Sequence, residues 1–254
     1  MISELFSLKG HRVLITGGVR GLGRTMAEGL LEAGAAVIVT SRKTPDIDAA
    51  VKDMSRLGDA WGFPCDVTQP DSVEALFDEI VQRFGVPDGV IANAGATWGA
   101  PTTEMDLSAW HKVVNTNLTG TFLVARRFAR DAIAQAVTGK LLIVSSIAGL
   151  AGIELFRTAG YSASKAGLIG LTRQLAVEWA PLGITVNAIA PGFFPSKMTE
   201  RFIAQHRDDL LRWIPLRRFG SDTDLKGITV FLMSSASDYM TGQVLAIDGG
   251  QTAW

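Results

Sequence analysis

The sequence predicts an α/β fold: one domain over residues 1–254, built on a doubly wound parallel sheet with helices on both faces. Two observations predict it. Seven short runs of β-branched and aliphatic residues alternate with longer stretches of helical periodicity. A glycine cluster stands at the first strand-to-helix junction. The runs are 12–16, 36–40, 61–65, 89–92, 141–145, 185–190 and 244–247, and their largely continuous apolar character is that of strands covered on both faces. Strand, helix and strand joined by right-handed crossovers place ligands beyond the carboxyl ends of the strands. Functional residues are therefore expected just after strands.

The first strand, Arg12 to Thr16, runs into Gly17-Gly18-Val19-Arg20-Gly21-Leu22-Gly23 and then a helical register from Thr25. Glycines at 17, 21 and 23 permit a tight turn and let a pyrophosphate approach backbone amides at a helix N-terminus, where the dipole favours an anion. At this junction the pattern predicts dinucleotide binding and a sheet of the Rossmann type; an ordinary strand-to-helix turn is the alternative. The second strand, Ala36 to Thr40, ends in Ser41-Arg42-Lys43, where such a fold meets the adenosine ribose. An acidic residue there would bond the ribose hydroxyls, whereas Ser41 and Arg42, helped by Arg20, suit a 2'-phosphate. NADP(H) is thus favoured over NAD(H), against the alternative of a solvated strand end. After the third strand, Asp66 is placed to accept from an adenine amino group, or with Val67-Thr68 to shape a turn.

Val73, Leu76, Phe77, Ile80, Val81 and Phe84 then recur at helical spacing, with Asp71 expected as the cap. The fourth strand leads into Asn93-Ala94-Gly95 and on to Trp98, a residue of either the pocket or the core. Asn117 lies inside the helical stretch beginning near Leu107, where it is expected to bend the helix and hold a water. Ser146 follows the fifth strand, placed to hydrogen-bond a substrate oxygen as it becomes alkoxide-like. Tyr161 and Lys165 are four apart, so they project from one helix face. An ammonium beside the phenol is expected to lower the phenol's pKa and make it an acid and base near neutrality. After the sixth strand come Pro191-Gly192 and then the one long interruption of the alternation, a lid at about 193–222. Phe193, Phe194, Met198, Phe202, Leu210, Leu211, Trp213, Ile214 and Leu216 there suggest an apolar lining, or packing against the body.

Other classes fit less well. With 24 basic and 25 acidic residues the formal charge is -1, so no field draws in nucleic acid or an anionic membrane. No apolar run is long enough to span a bilayer, and the N-terminal residues lack a secretory pattern. Cys65 is the single cysteine and no cluster has metal-ligand spacing, so a reducing cytoplasm is the expected setting and no metal is expected. A hydrolase is disfavoured by the lack of a Gly-x-Ser-x-Gly elbow.

Thr16-Gly17-x-x-x-Gly21-x-Gly23, Asp66-Val67, Asn93-Ala94-Gly95, Asn117-Leu118, Ser145-Ser146, Tyr161-x-x-x-Lys165, Asn187, Pro191-Gly192 and Asp248-Gly249-Gly250 occur in an order and spacing that resemble the short-chain dehydrogenase/reductases over essentially the whole chain. The resemblance implies a carbonyl reductase or dehydrogenase with Tyr161 as general acid/base, Lys165 as its activator and ribose ligand, Ser146 on the substrate oxygen and Asn117 in a proton relay. It implies a cofactor site of Gly17, Arg20, Gly21, Leu22, Gly23, Ser41, Arg42, Asp66, Val67, Asn93, Ala94, Gly95, Tyr161, Lys165, Pro191, Gly192, Phe194 and Ser196. Ser196 stands where the family usually has a threonine on the nicotinamide carboxamide, and the 15-residue gap between Ser146 and Tyr161 is longer than usual. The segments 94–101 and 190–199 look like β-ketoacyl reductases of the rhamnolipid-associated type, yet Leu182 replaces the arginine that carrier-dependent members often place before Gly183. A homotetramer or homodimer is implied, with Arg126, Arg127 and Arg130 either pairing across an interface or solvated and Trp254 at a subunit contact. The alternatives are a 3-oxoacyl thioester reductase and a non-catalytic NADPH-binding sensor; a sensor needs the glycine loop but not Ser146, Tyr161 and Lys165.

Overall fold

A computed structural model describes residues 1–154, 157–197 and 199–253. The elements run α1 (Ile2–Leu5), β1 (Arg12–Ile15), α2 (Gly21–Glu32), β2 (Ala36–Ser41), α3 (Thr44–Met54), β3 (Ala60–Pro64), α4 (Pro70–Phe84), β4 (Gly89–Ala92), α5 (Leu107–Val114), a π turn (Asn115–Thr119), α6 (Gly120–Ala134), β5 (Gly139–Val144), α7 (Ala159–Trp179), β6 (Ile184–Pro191), α8 (Glu200–Trp213), α9 (Asp222–Met233) and β7 (Val244–Ile247). All seven expected strands are present, with ends shifted by no more than two residues.

The strands form one parallel sheet in the order β3-β2-β1-β4-β5-β6-β7. The chain winds outward from β1 to β3, returns to lay β4 beside β1, and winds the other way, so the switch point falls between β1 and β4. Period-two alternation divides the core. Leu14, Ile38, Val90, Leu141 and Ile143 face α4, α6 and α7, where Phe77, Phe128 and Leu168 are buried. Val13, Ile15, Val37, Val39, Ile91 and Leu142 face α2, α3 and α9, with Met26, Leu30, Met54 and Leu232. A third cluster of Ile147, Phe193, Ile203, Leu210 and Ile214 ties the turn after β5 to the segment after β6 and to α8.

Three expectations are refined. Helix α4 opens on Pro70, with Gln69 at the cap, so Asp71 sits inside the first turn rather than capping it. The interruption at 193–222 contains α8, whose Ile203, Leu210 and the following Ile214 pack on the body. The three arginines of α6 pair within the chain: Arg127, 5% exposed, reaches Glu74, Asp78 and Asp131 at 2.8 Å each, while Arg126 and Arg130 also turn to Glu74. Among the described residues, no helix is long and apolar enough to cross a membrane and no acidic, His or Cys group is arranged to hold a metal.

Candidate active site

The site is built at the carboxyl ends of β1, β4, β5 and β6. Asn93, after β4, braces the glycine loop: its Nδ2 donates to the carbonyls of Thr16 (3.0 Å) and Gly17 (3.1 Å), and Thr16 Oγ1 accepts from the amides of Asn93 and Ala94 at 3.1 Å. Gly21 opens α2 with φ +54°, a conformation that suits glycine. At Gly23 a Cβ would come within 2.5 Å of both Asn93 Nδ2 and the Gly17 carbonyl, so the helix start closes on the loop only without a side chain. This cradle of backbone amides fits a dinucleotide pyrophosphate. Arg20, in the glycine loop, and Arg42, just past β2, are exposed, and no ion pair among the described residues uses either. Ser41 Oγ weakly accepts the Lys43 amide at 3.5 Å. Asp66 Oδ1 is occupied by the amide and hydroxyl of Thr68, so the turn reading holds for that oxygen. Half-buried Leu22 and buried Val67 complete this flank.

Helix α7 carries Tyr161 and Lys165, the two candidates for acid/base chemistry. Lys165 is 4% exposed; its Nζ donates to the carbonyl of Val144 at 2.7 Å and lies 5.6 Å from the centre of the Tyr161 ring. Burial lowers its pKa to about 8. Burial also pushes the Tyr161 phenol above its ordinary value, a shift partly opposed by a hydrogen bond with the Ser146 side chain. This corrects the expectation that the ammonium lowers the phenol: in the free protein desolvation dominates, and the phenol is held neutral. Ser146 Oγ also accepts the Ala148 amide at 3.2 Å, which fixes the hydroxyl on the short turn after β5.

Asn117 is completely buried in the π turn between α5 and α6. Its amide locks the strand-β4 loop, with Oδ1 accepting the Ala96 amide at 2.7 Å and Nδ2 donating to the Ala96 carbonyl (3.0 Å) and Ser164 Oγ (2.9 Å). A Cβ on Gly95 would lie 3.4 Å from Asn117 Oδ1 and 3.9 Å from Lys165 Nζ, so Gly95, Asn117 and Lys165 meet at one point. Trp98 is 49% exposed, which excludes the core reading. Past β6, a Cβ on Gly192 would collide with Asp248 at 2.8 Å, and Phe194 is buried. Ser196 lies over Gly21, 3.9 Å from where its Cβ would be, and pairs its hydroxyl with Thr199 Oγ1 at 3.0 Å. Thr199 in turn donates to the Phe194 carbonyl at 2.6 Å.

Sequence reasoning missed three supports. Ser145 Oγ donates to the Lys165 carbonyl at 2.8 Å, Ser164 Oγ donates to the Tyr161 carbonyl at 2.7 Å, and Gly149 leaves room for the backbone of Lys165 and Ala166. A serine three residues after Tyr161 on one helix was the available signal for Ser164; nothing in the sequence singled out Thr199. Of the expected lid and tail residues, Met198 and Trp254 lie outside the described residues, as do Leu155 and Phe156 in the gap before Tyr161.

Comparison with known proteins agrees with this arrangement. Residues 17–252 match the family model described as enoyl-(acyl carrier protein) reductase. The chain is 37% identical over 239 residues to a 3-oxoacyl-(acyl-carrier-protein) reductase of Staphylococcus aureus, covering 93% of this chain and 96% of the relative. It is 36% identical over 256 residues to the 2-dehydro-3-deoxy-D-gluconate 5-dehydrogenase of Escherichia coli, covering 100% of both. A gluconate 5-dehydrogenase from Burkholderia cenocepacia, solved in complex with NADP and tartrate, superposes with a TM-score of 0.94 at 34% identity over 100% of each chain. With its seven-stranded parallel sheet and these relatives over nearly its full length, the chain belongs to the short-chain dehydrogenase/reductase family of oxidoreductases.

Proposed function

We propose that the protein is an NADP(H)-dependent oxidoreductase that interconverts a ketone and a secondary alcohol, with Tyr161 as general acid/base. The observation that carries the reading is the convergence of Ser146, Tyr161 and Lys165, with Ser146 and Lys165 buried and the half-buried Tyr161 hydrogen-bonded through its phenol to Ser146. The nicotinamide cofactor, when bound, supplies or accepts the hydride at the carbonyl carbon. Tyr161 Oη gives the ketone oxygen its proton during reduction and takes it back during oxidation. Ser146 Oγ holds that oxygen as charge develops on it. Lys165, whose ammonium is attached to the Val144 carbonyl and close to the phenol ring, favours the phenolate left by proton transfer. Asn117, fixed on Ala96 and Ser164, positions the loop and helix that frame Lys165, and we assign the relay role to it.

Arg42, with Ser41 and Arg20, is assigned to the 2'-phosphate, which gives NADP(H) preference over NAD(H); the NADP named in the Burkholderia complex supports it. Asp66 and Val67 flank the adenine, Ala94 and Gly95 the cofactor wall, and Pro191, Gly192 and Phe194 the nicotinamide. Ser196 Oγ keeps lone pairs for the carboxamide because its proton is directed to Thr199. The chain is read as a single cytoplasmic domain with residues 193–222 as the substrate lid. Assembly as a homotetramer or homodimer is supported by edge strand β7, whose Val244, Leu245 and Ile247 are only half-buried, and by exposed Val177 and Leu182.

A 3-oxoacyl thioester is the second substrate reading, favoured by the Staphylococcus relative. Leu182, 47% exposed, offers no charge to an acidic carrier, which ranks that reading below a general ketone reductase. NADPH carrying deuterium at C4 tests the reaction: with a panel of hydroxy ketones, keto-sugar acids and a β-ketoacyl thioester, deuterium is expected on the carbinol carbon of the alcohol formed. Tight NADPH binding with no labelled alcohol from any of them would favour the sensor reading.

A further inference from the structure

The backbone carbonyls of Tyr161 and Lys165 are each held by a buried serine hydroxyl. Ser145, just past β5, donates to the Lys165 carbonyl at 2.8 Å, and Ser164, 1% exposed, donates to the Tyr161 carbonyl at 2.7 Å. A helical serine commonly bonds a carbonyl three or four residues back, so the Ser164 contact alone is a local habit of the chain. The same oxygen, however, also accepts Asn117 Nδ2 at 2.9 Å, across 47 residues. Its one proton is directed to Tyr161, which leaves only lone pairs for Asn117. Asn117, fully buried, places its amide hydrogens on Ser164 Oγ and the Ala96 carbonyl, while its Oδ1 takes the Ala96 amide. Donation therefore runs in one direction, from Asn117 to Ser164 to Tyr161. This line ties the first turn of α7 to the π turn and to the loop after β4. Three residues before Ala96, Asn93 of the same loop bonds the Gly17 carbonyl, so the turn that bears Tyr161 is linked through Ser164 to the glycine cradle.

We infer that Ser164 is a positioning residue, whose hydroxyl holds the turn bearing Tyr161 in register with the loop that braces the cofactor cradle. The inference rests on the reductase reading of Tyr161 and deepens it. Reduction adds a hydride from NADPH to the carbonyl carbon and a proton from Tyr161 Oη to the carbonyl oxygen, so the phenol and the cofactor must be matched to one small group. Ser164 acts on that match through the Tyr161 backbone, not by contact with the substrate. Alanine at 164 removes the bond to the Tyr161 carbonyl and leaves one buried Asn117 amide hydrogen without its acceptor. The first turn of α7 then loses its tie to the loop, while the glycine cradle keeps its own bonds to Asn93.

The test compares wild type, Ser164→Ala and Tyr161→Phe with NADPH, in H2O and in D2O, on whichever of the hydroxy ketones, keto-sugar acids and β-ketoacyl thioester wild type reduces fastest. Single-turnover rates are taken per bound NADPH, which counts only folded, cofactor-loaded protein. Ser164→Ala is expected to bind NADPH within about 2-fold of wild type and to reduce the ketone about 10-fold more slowly, because small misplacements of a reacting group are costly. Its solvent deuterium isotope effect is expected to exceed that of wild type, since a misplaced phenol makes proton transfer the slower step. Ser164→Cys, with a weaker hydrogen-bonding group in the same place, is expected to fall between the two and carries the same test if the alanine variant does not fold. A wild-type rate without the serine hydroxyl overturns the inference, and so does a lower rate with an unchanged isotope effect, the mark of a helix merely loosened. Turnover lost in Tyr161→Phe but kept in Ser164→Ala leaves the reductase reading standing and overturns the inference alone. Wild type that binds NADPH and reduces none of the ketones overturns both.

Discussion

Lys165 is buried and Tyr161 half-buried, and desolvation moves their proton affinities in opposite directions. The phenol is pushed up and stays protonated, ready to donate, while Lys165 is drawn down to about 8. Because the chain has two tyrosines, subtracting the alkaline ultraviolet titration of Tyr161→Phe from that of wild type isolates the Tyr161 phenol. The isolated transition is expected above the ordinary tyrosine value in the free protein; ionisation below it would mean that the ammonium outweighs burial. Lys165 makes a separate prediction. Its folded value lies below its ordinary value of 10.5, so between those two values the unfolded chain holds more protons and stability rises with pH. Denaturation of wild type against Lys165→Met is expected to show wild type gaining about 2–3 kcal/mol between pH 8 and 10; a flat difference would place the lysine in a solvated setting. The placement of Ser146 just after β5 and of Tyr161 and Lys165 one turn apart on α7 was legible from the strand pattern and the four-residue spacing. The direction of the phenol's shift was not, since it depends on how much water the fold removes, and spacing carries no information about burial depth.

At the scale of elements, the glycine loop and the helix it starts act as one body with the turn after β4. Gly23→Ala places a methyl against Asn93 Nδ2 and the Gly17 carbonyl, and a fixed backbone carbonyl cannot step aside as a flexible side chain would. A loss of about 1–3 kcal/mol in unfolding free energy is expected, together with weakened NADPH binding; wild-type values for both would dissolve the link between loop and strand. On the opposite face, Arg127 joins α6 to α4 through Glu74 and Asp78 while its guanidinium lies 5.6 Å from the Phe77 ring. Arg127→Ala is expected to cost about 3 kcal/mol, read by urea denaturation, without changing NADPH affinity. The strands and the main helices were legible from period and apolar content. The helix α4 start was misread because Pro70 and Asp71 both suit a first turn, and the pairing of Arg127 was open because a charge on a helix does not announce its partner. Asn117 lies in a π turn that interrupts the α-helical pattern, and its bonds to Ala96 and Ser164 join segments 21 and 47 residues away, which sequence spacing does not reveal.

At the scale of the whole molecule, the glycine loop follows β1, next to the point where the two windings of the sheet diverge, and Ser146 follows β5. The doubly wound sheet and the near balance of charge were legible in the sequence. The third apolar cluster was not, because Ile147, Phe193 and Leu210 belong to separate stretches of chain that only the fold brings together. Half-buried β7 predicts an oligomer: light scattering is expected to give a particle of two or four chains, and a monomer at all concentrations would leave that strand's apolar side chains without a reason. Arg42→Ala tests the cofactor end, with NADPH affinity expected to fall 10-fold or more while NADH affinity holds, as loss of a charged phosphate contact requires. The central claim is most directly tested by following NADPH-dependent ketone reduction in wild type and Tyr161→Phe, with NADPH affinity measured on both. The account predicts that the variant loses turnover while binding NADPH as wild type does; turnover preserved in the variant, with NADPH affinity lost, would contradict it.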